Sequence, residues 1–96
     1  MAMRVEGERL LIEGNLDAFT VPGLFESSLA GVRNGVTSVD FAQVGTADSS
    51  AIALALAIWR EAETAGRKIH FLNVPPTMLK LARLYAVDEL LGTAPA

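Results

Sequence analysis

The stretch AIALALAIW, Ala51 to Trp59, carries no polar side chain and lies directly behind Asp48-Ser49-Ser50. Its second half turns polar with Arg60, Glu61 and Glu63, and Gly66 follows, which predicts one helix over about Ser49 to Thr64. Ile52, Leu54, Leu56, Ile58 and Trp59 leave almost no polar side in the first turns, so this helix is buried on more than one side or covered by a partner. The run is far shorter than the roughly 20 residues that span a bilayer. It must therefore be packed by the rest of a 96-residue chain, long enough for one domain, residues 1–96, and too short for a second core.

The remaining segments offer that packing. In MRVEGERLLIEGNLD, Gly7-Glu8-Arg9 separates two short strands, and Leu10-Leu11-Ile12 is an apolar run bounded by Gly14 and Asn15. Asp17 closes an Asn-x-Asp loop. Thr20 with Pro22 signals a helix start, with Val21 as the expected cap, and Leu24, Phe25, Ser28, Leu29 and Val32 recur at helical spacing until Asn34-Gly35. VTSVDFAQV, residues 36–44, reads as a strand, and Gly45-Thr46-Ala47 as the loop leading to Asp48. RKIHFLNV, residues 67–74, is a further strand. Pro75-Pro76-Thr77 opens a last helix with Met78, Leu81, Ala82 and Tyr85 on one face and Lys80 and Arg83 on the other. Residues 87–91 form a short helical turn or a brief strand, and the last five residues are expected to be disordered. The order β-β-α-β-α-β-α predicts a compact α/β sandwich: a small, mostly parallel mixed sheet of about four strands with three or four helices.

Composition narrows the chemistry. With 51% hydrophobic and 20% charged residues the chain is not disordered, and with no cysteine it has no disulfide or thiolate metal site. The start has no apolar signal segment, which fits a cytoplasmic protein. The net charge is −3 and the eight Lys and Arg residues are scattered, against nucleic-acid binding. His70, the sole histidine, lies in an expected strand and reads as partly exposed. Asp17, Asp40 and Asp48 are joined by no spacing argument into an acid–base pair. No calcium-loop or nucleotide-loop motif is present, and no metal or cofactor is expected. The pattern points to a binding or regulatory module rather than an enzyme.

Asp48 or Ser49 is expected to cap the long helix. Helix N-termini also favour anions, and a phosphate on Ser49 would add roughly two negative charges there. The preceding strand places this loop at the carboxyl end of a parallel sheet, where α/β proteins hold their sites.

Three stretches carry a resemblance. IEGNLD, residues 12–17, is similar to a G-E-L-D turn. SVDFAQVGTADSSAIALALAIWREAETAGRKIHFLNV is similar to a strand, D-S-S phosphorylation loop, helix and strand. PPTMLKLARLYAVDELL is similar to a closing helix. Together they resemble the STAS domain family, which includes the anti-sigma factor antagonists and the STAS tails of anion transporters. The short length, the Ala/Leu-rich helix and LKLARLYAVDELL are most similar to the small STAS subunits of the Mla phospholipid ABC transporter.

That resemblance implies a non-enzymatic cytoplasmic accessory subunit, held at the inner membrane through its partner. It would bind the transporter's ATPase subunit, MlaF, and support a complex that maintains outer-membrane lipid asymmetry. The other branch implies an anti-sigma factor antagonist, switched when an anti-sigma factor kinase phosphorylates Ser49. In either case the resemblance makes Ser49 the hydroxyl at the contact. Thr46, Asp48, Ser50 and Asp17 flank it, and Ile52, Trp59, Met78 and Tyr85 are the helix positions expected to meet the partner. Two residues depart from the family pattern: Asn15 replaces the acid of the G-E-L-D turn, and Ala51 stands where both branches place glycine. A methyl at position 51 is expected to hinder close approach by a kinase and so to favour docking over phosphorylation.

Overall fold

Gly7 takes a φ of +63°, which lets the chain reverse so that β1 (Met3–Glu6) pairs antiparallel with β2 (Arg9–Leu16). The structure, a computed structural model, describes residues 3–91; the expected disorder of residues 92–96 lies outside them. β2 does not stop at Gly14-Asn15, as the sequence suggests. Gly14, at φ +87°, and a register shift between Gly14 and Leu16 form a bulge that carries the strand on alongside β3 (Ser38–Ala47). For the same reason Gly45-Thr46-Ala47 is strand rather than loop, with Leu16 opposite Ala47. β3 starts only at Ser38, because the Val36 N–H closes the preceding helix on the Gly31 carbonyl.

The sheet order is β1-β2-β3-β4, with β2/β3 and β3/β4 parallel, the small mixed sheet expected from the element order. β4 (His70–Leu72) is shorter than the expected residues 67–74. Asn73, in the left-handed region at φ +56°, ends it on one side, and on the other Arg67 is taken up by the cap of the preceding helix.

Three helices pack on this sheet. Thr20, not Val21, precedes the first turn. Pro22 falls at the second position of a short 3-10 turn, Val21–Leu24, which leads into α1 (Phe25–Arg33). α2 (Ser49–Thr64) and α3 (Pro76–Leu84) follow the carboxyl ends of β3 and β4. All three helices close in the same way: one residue in the left-handed region, with the next N–H bonded back to a carbonyl in the last turn. That residue is Gly35 after α1 and Gly66 after α2, but Ala86, at φ +57°, after α3. Tyr85 is therefore the cap of α3 rather than part of its apolar face. Residues 87–91 form a turn, not a strand, and its end, Leu91, is fully buried.

Leu10, Ile12, Val39, Phe41 and Phe71 face the helices, with the rings of Phe41 and Phe71 stacked 6.1 Å apart. The apolar girth of α2 is explained within the chain. It lies between α1 and α3, and Ala51, Ile52, Leu54, Ala55, Ile58 and Ala62 are buried in the common core. The other face of the sheet carries ion pairs, Arg4 with Glu6 and Glu13, and Arg9 with Asp40. No described helix is long and apolar enough to cross a membrane.

Candidate functional site

The parallel strands bring their carboxyl ends to one edge, where the turn after β2 meets the start of α2. The Asp48 N–H donates to the Leu16 carbonyl at 3.0 Å, and this bond fixes the first residue of the helix cap against the last residue of β2. Asp48 sits in extended backbone at φ −112°, and its Oδ1 accepts from the Ser50 N–H at 2.7 Å and the Ser50 hydroxyl at 2.5 Å. Asp48 is thus the N-cap and Ser49 the first helical residue. The Ser50 hydroxyl, then the Ser50 N–H, holds the Asp48 carboxyl below its ordinary range, against a smaller opposing effect of desolvation.

The two serines consequently differ. Ser50 is half-buried and its hydroxyl is committed to Asp48. Ser49 is exposed, and its hydroxyl has no hydrogen-bond partner among the described residues. A hydroxyl that is exposed, uncommitted and at a helix N-terminus can meet a partner or accept a phosphate. Ala51 next to it is fully buried. Its methyl packs in the common core with Ile52, Leu54 and Ala55.

Asp17 shapes the neighbouring turn. Its Oδ1 accepts from the N–H groups of Phe19 at 2.9 Å and Thr20 at 3.0 Å, while its own N–H donates to the Thr20 hydroxyl oxygen at 3.0 Å. The Thr20 hydroxyl donates to the Asn15 carbonyl at 2.7 Å. Phe19 is thereby held out at 94% exposure. Sequence reasoning missed this residue, although a phenylalanine between two turn-forming polar residues was the available signal. Asn15 also has a role that the comparison with an acid did not suggest. Its Oδ1 accepts from the Thr46 N–H at 3.1 Å and occupies the space where a Cβ on Gly45 would come within 2.6 Å. An amide oxygen accepts that bond as a carboxylate would, and Thr46 itself is exposed three residues before Ser49.

The four helix positions expected at a partner contact do not gather around Ser49. Ile52 and Met78 are core residues, 3% and 0% exposed, because helical apolarity marks burial in the fold as readily as burial in a complex. Trp59 is ten positions along α2, about 15 Å at helical rise. It lines a groove of about 350 Å³ with Glu63, Lys68, Ile69, His70 and Glu89 at the opposite end of the helix. Tyr85 is 53% exposed at the end of α3.

His70 is exposed at the start of β4, level with Ser38, nearly the whole length of β3 from Ala47 and roughly 30 Å at strand rise. It cannot serve Ser49 as a base. Asp40 points to the outer sheet face, away from Asp17 and Asp48. Its carboxylate accepts from the Ala42 N–H at 2.8 Å, Asn73 at 2.9 Å and Arg9 at 3.2 Å. Burial pushes the Asp40 carboxyl up, but these three donors outweigh it and hold it below its ordinary range. Among the described residues, no group of three or more His, Asp and Glu side chains could hold a metal ion.

A strand order of β1-β2-β3-β4 with an aspartate-capped, serine-led helix after β3 defines the class. The family described as Mlab, STAS domain, matches residues 1–92, and the chain belongs to it. Among solved structures, the unphosphorylated form of the anti-sigma factor antagonist SpoIIAA superposes with a TM-score of 0.74 at 21% identity. That match covers 98% of this chain and 85% of that one. The phosphorylated form of SpoIIAA, a Bacillus cell-fate determinant, gives a TM-score of 0.69 at 25% identity, over 99% and 91% of the two chains. No curated protein matches the sequence.

Proposed function

We propose that this STAS domain is an accessory subunit of the MlaB type that works by contact rather than by chemistry. It docks through the edge around Ser49 on the ATPase subunit, an MlaF-like protein, of a phospholipid-transporting ABC complex. The observation that carries this reading is the match of the MlaB-type STAS family along residues 1–92. The free Ser49 hydroxyl, flanked by Asp48, Thr46 and Asp17, supports it by leaving polar groups unspent at one exposed edge. On this reading the chain is a single domain without a cofactor, cytoplasmic, and at the inner membrane only through its partner. It supports assembly and activity of the complex, and through that the lipid asymmetry of the outer membrane. The test is to mix the purified chain with the purified ATPase subunit of the same organism's Mla-type transporter. A complex on size-exclusion chromatography and a changed ATPase rate are expected; two unassociated proteins would contradict the reading.

One observation favours a second reading, an anti-sigma factor antagonist. With the Ala51 methyl turned into the core, Ser49 is open to a kinase. Incubation with ATP and the cognate anti-sigma factor kinase would then add the mass of one phosphate, an addition lost in Ser49→Ala. An unmodified chain would rule this reading out.

A further inference from the structure

We propose that Phe19 is the apolar anchor of the docking edge, inserting into a cleft of the partner protein rimmed by basic side chains. The inference rests on the docking reading above and adds the residue that would carry most of the contact energy.

Large aromatic side chains are normally withdrawn from water, and a phenylalanine at 94% exposure leaves nearly all of its apolar area unburied. Here that exposure is built in rather than left by a loose loop. The Asp17 carboxylate, the Thr20 hydroxyl and the Asn15 carbonyl tie the turn from both sides, so the ring's backbone is fixed before any partner arrives. Preorganisation of this kind lowers the entropy lost on binding and is typical of the aromatic residues that dominate interfaces.

The place is the same edge as Ser49. Phe19 lies three residues past Leu16, the residue whose carbonyl holds the Asp48 N–H, and the 3-10 turn after it packs on α2. Pro22 and Gly23 in that turn, and Ala53 in the first turns of α2, are exposed and uncharged.

Charge identifies the occupant. Asp17 and Asp48 each use Oδ1 for the local turn, and among the described residues no Lys or Arg pairs with either. An exposed phenyl ring on an edge that also carries two carboxylates without counter-ions suits an apolar cleft edged with arginine or lysine. An anionic membrane surface would be repelled by the same carboxylates, and a second copy of this edge would set acid against acid.

The test is calorimetric titration of the purified Mla-type ATPase subunit with wild-type protein, Phe19→Ala, Phe19→Trp and Ser49→Arg, with thermal melts as a check on folding. Phe19→Ala should weaken binding by about 10- to 100-fold with an unchanged melting temperature, and Phe19→Trp should stay within about threefold of wild type. If Phe19→Ala binds like wild type while Ser49→Arg does not, the anchor is overturned and the docking reading survives. If the wild-type chain does not bind at all, both fall. Loss of vesicle co-sedimentation on Phe19→Ala, with 1:1 phosphatidylglycerol–phosphatidylcholine vesicles, would assign the ring to lipid and also overturn the proposal. So would loss of a self-associated species in sedimentation velocity.

Discussion

Gly45 and Asn15 show how closely the edge around Ser49 is fitted at the scale of single residues. A methyl on Gly45 would meet Asn15 Oδ1 at 2.6 Å, and that oxygen is the acceptor for the Thr46 N–H. Gly45→Ala must therefore displace the amide and lose its bond, a cost of about 1–2 kcal/mol in urea unfolding. In an Asn15→Ala background the same substitution should cost less than half as much, because the clash is already gone. The two serines separate by a similar argument. Asp48→Ala removes the cap and should cost about 1 kcal/mol, whereas Ser49→Ala should stay within about 0.5 kcal/mol. The cap was legible in the sequence, since an acid before an apolar helix is a local signal. The Asn15–Thr46 bond was not, because it joins residues from two strands whose register depends on a bulge.

At the scale of elements, helix ends and strand ends behave differently. α1 and α2 close on Gly35 and Gly66, but α3 places Ala86 in the left-handed region. Ala86→Gly should raise stability by about 0.5–1 kcal/mol, and Gly66→Ala should lower it by about 1 kcal/mol, both read from thermal melts. Asp40 joins β2, β3 and the turn after β4 through Arg9, Ala42 and Asn73. Its removal in Asp40→Ala should cost about 1–3 kcal/mol. Because its folded-state carboxyl lies below the ordinary value of about 3.9, its contribution is present above that pH. The contribution fades as pH falls through that value to the lower folded one. Wild-type stability should drop there more steeply than that of Asp40→Ala, as urea midpoints between about pH 5 and 2 would show. Helix interiors were readable from their spacing. Strand ends were not: Gly45 to Ala47 look like loop because their pairing is decided by β2, and Asn73 stops β4 through a backbone conformation that no composition rule specifies.

At the scale of the whole molecule, the alternation of elements was enough to predict the small mixed sheet and its helices, because an all-round apolar α2 needs neighbours on both flanks. The proposed contact surface was less legible. Ile52 and Met78 have the pattern of contact residues and the position of core residues, while Phe19 belongs to no periodic pattern at all. The surface became visible only when the fold brought the turn after β2 beside the start of α2. On the docking proposal this edge, and not the groove beside Trp59 or the end of α3, meets the ATPase subunit. Calorimetric titration of that subunit with wild-type, Ser49→Arg and Tyr85→Ala chains tests it most directly. Wild type and Tyr85→Ala should bind alike, and Ser49→Arg should lose at least about 100-fold. Undiminished binding by Ser49→Arg, or a comparable loss in Tyr85→Ala, would contradict it.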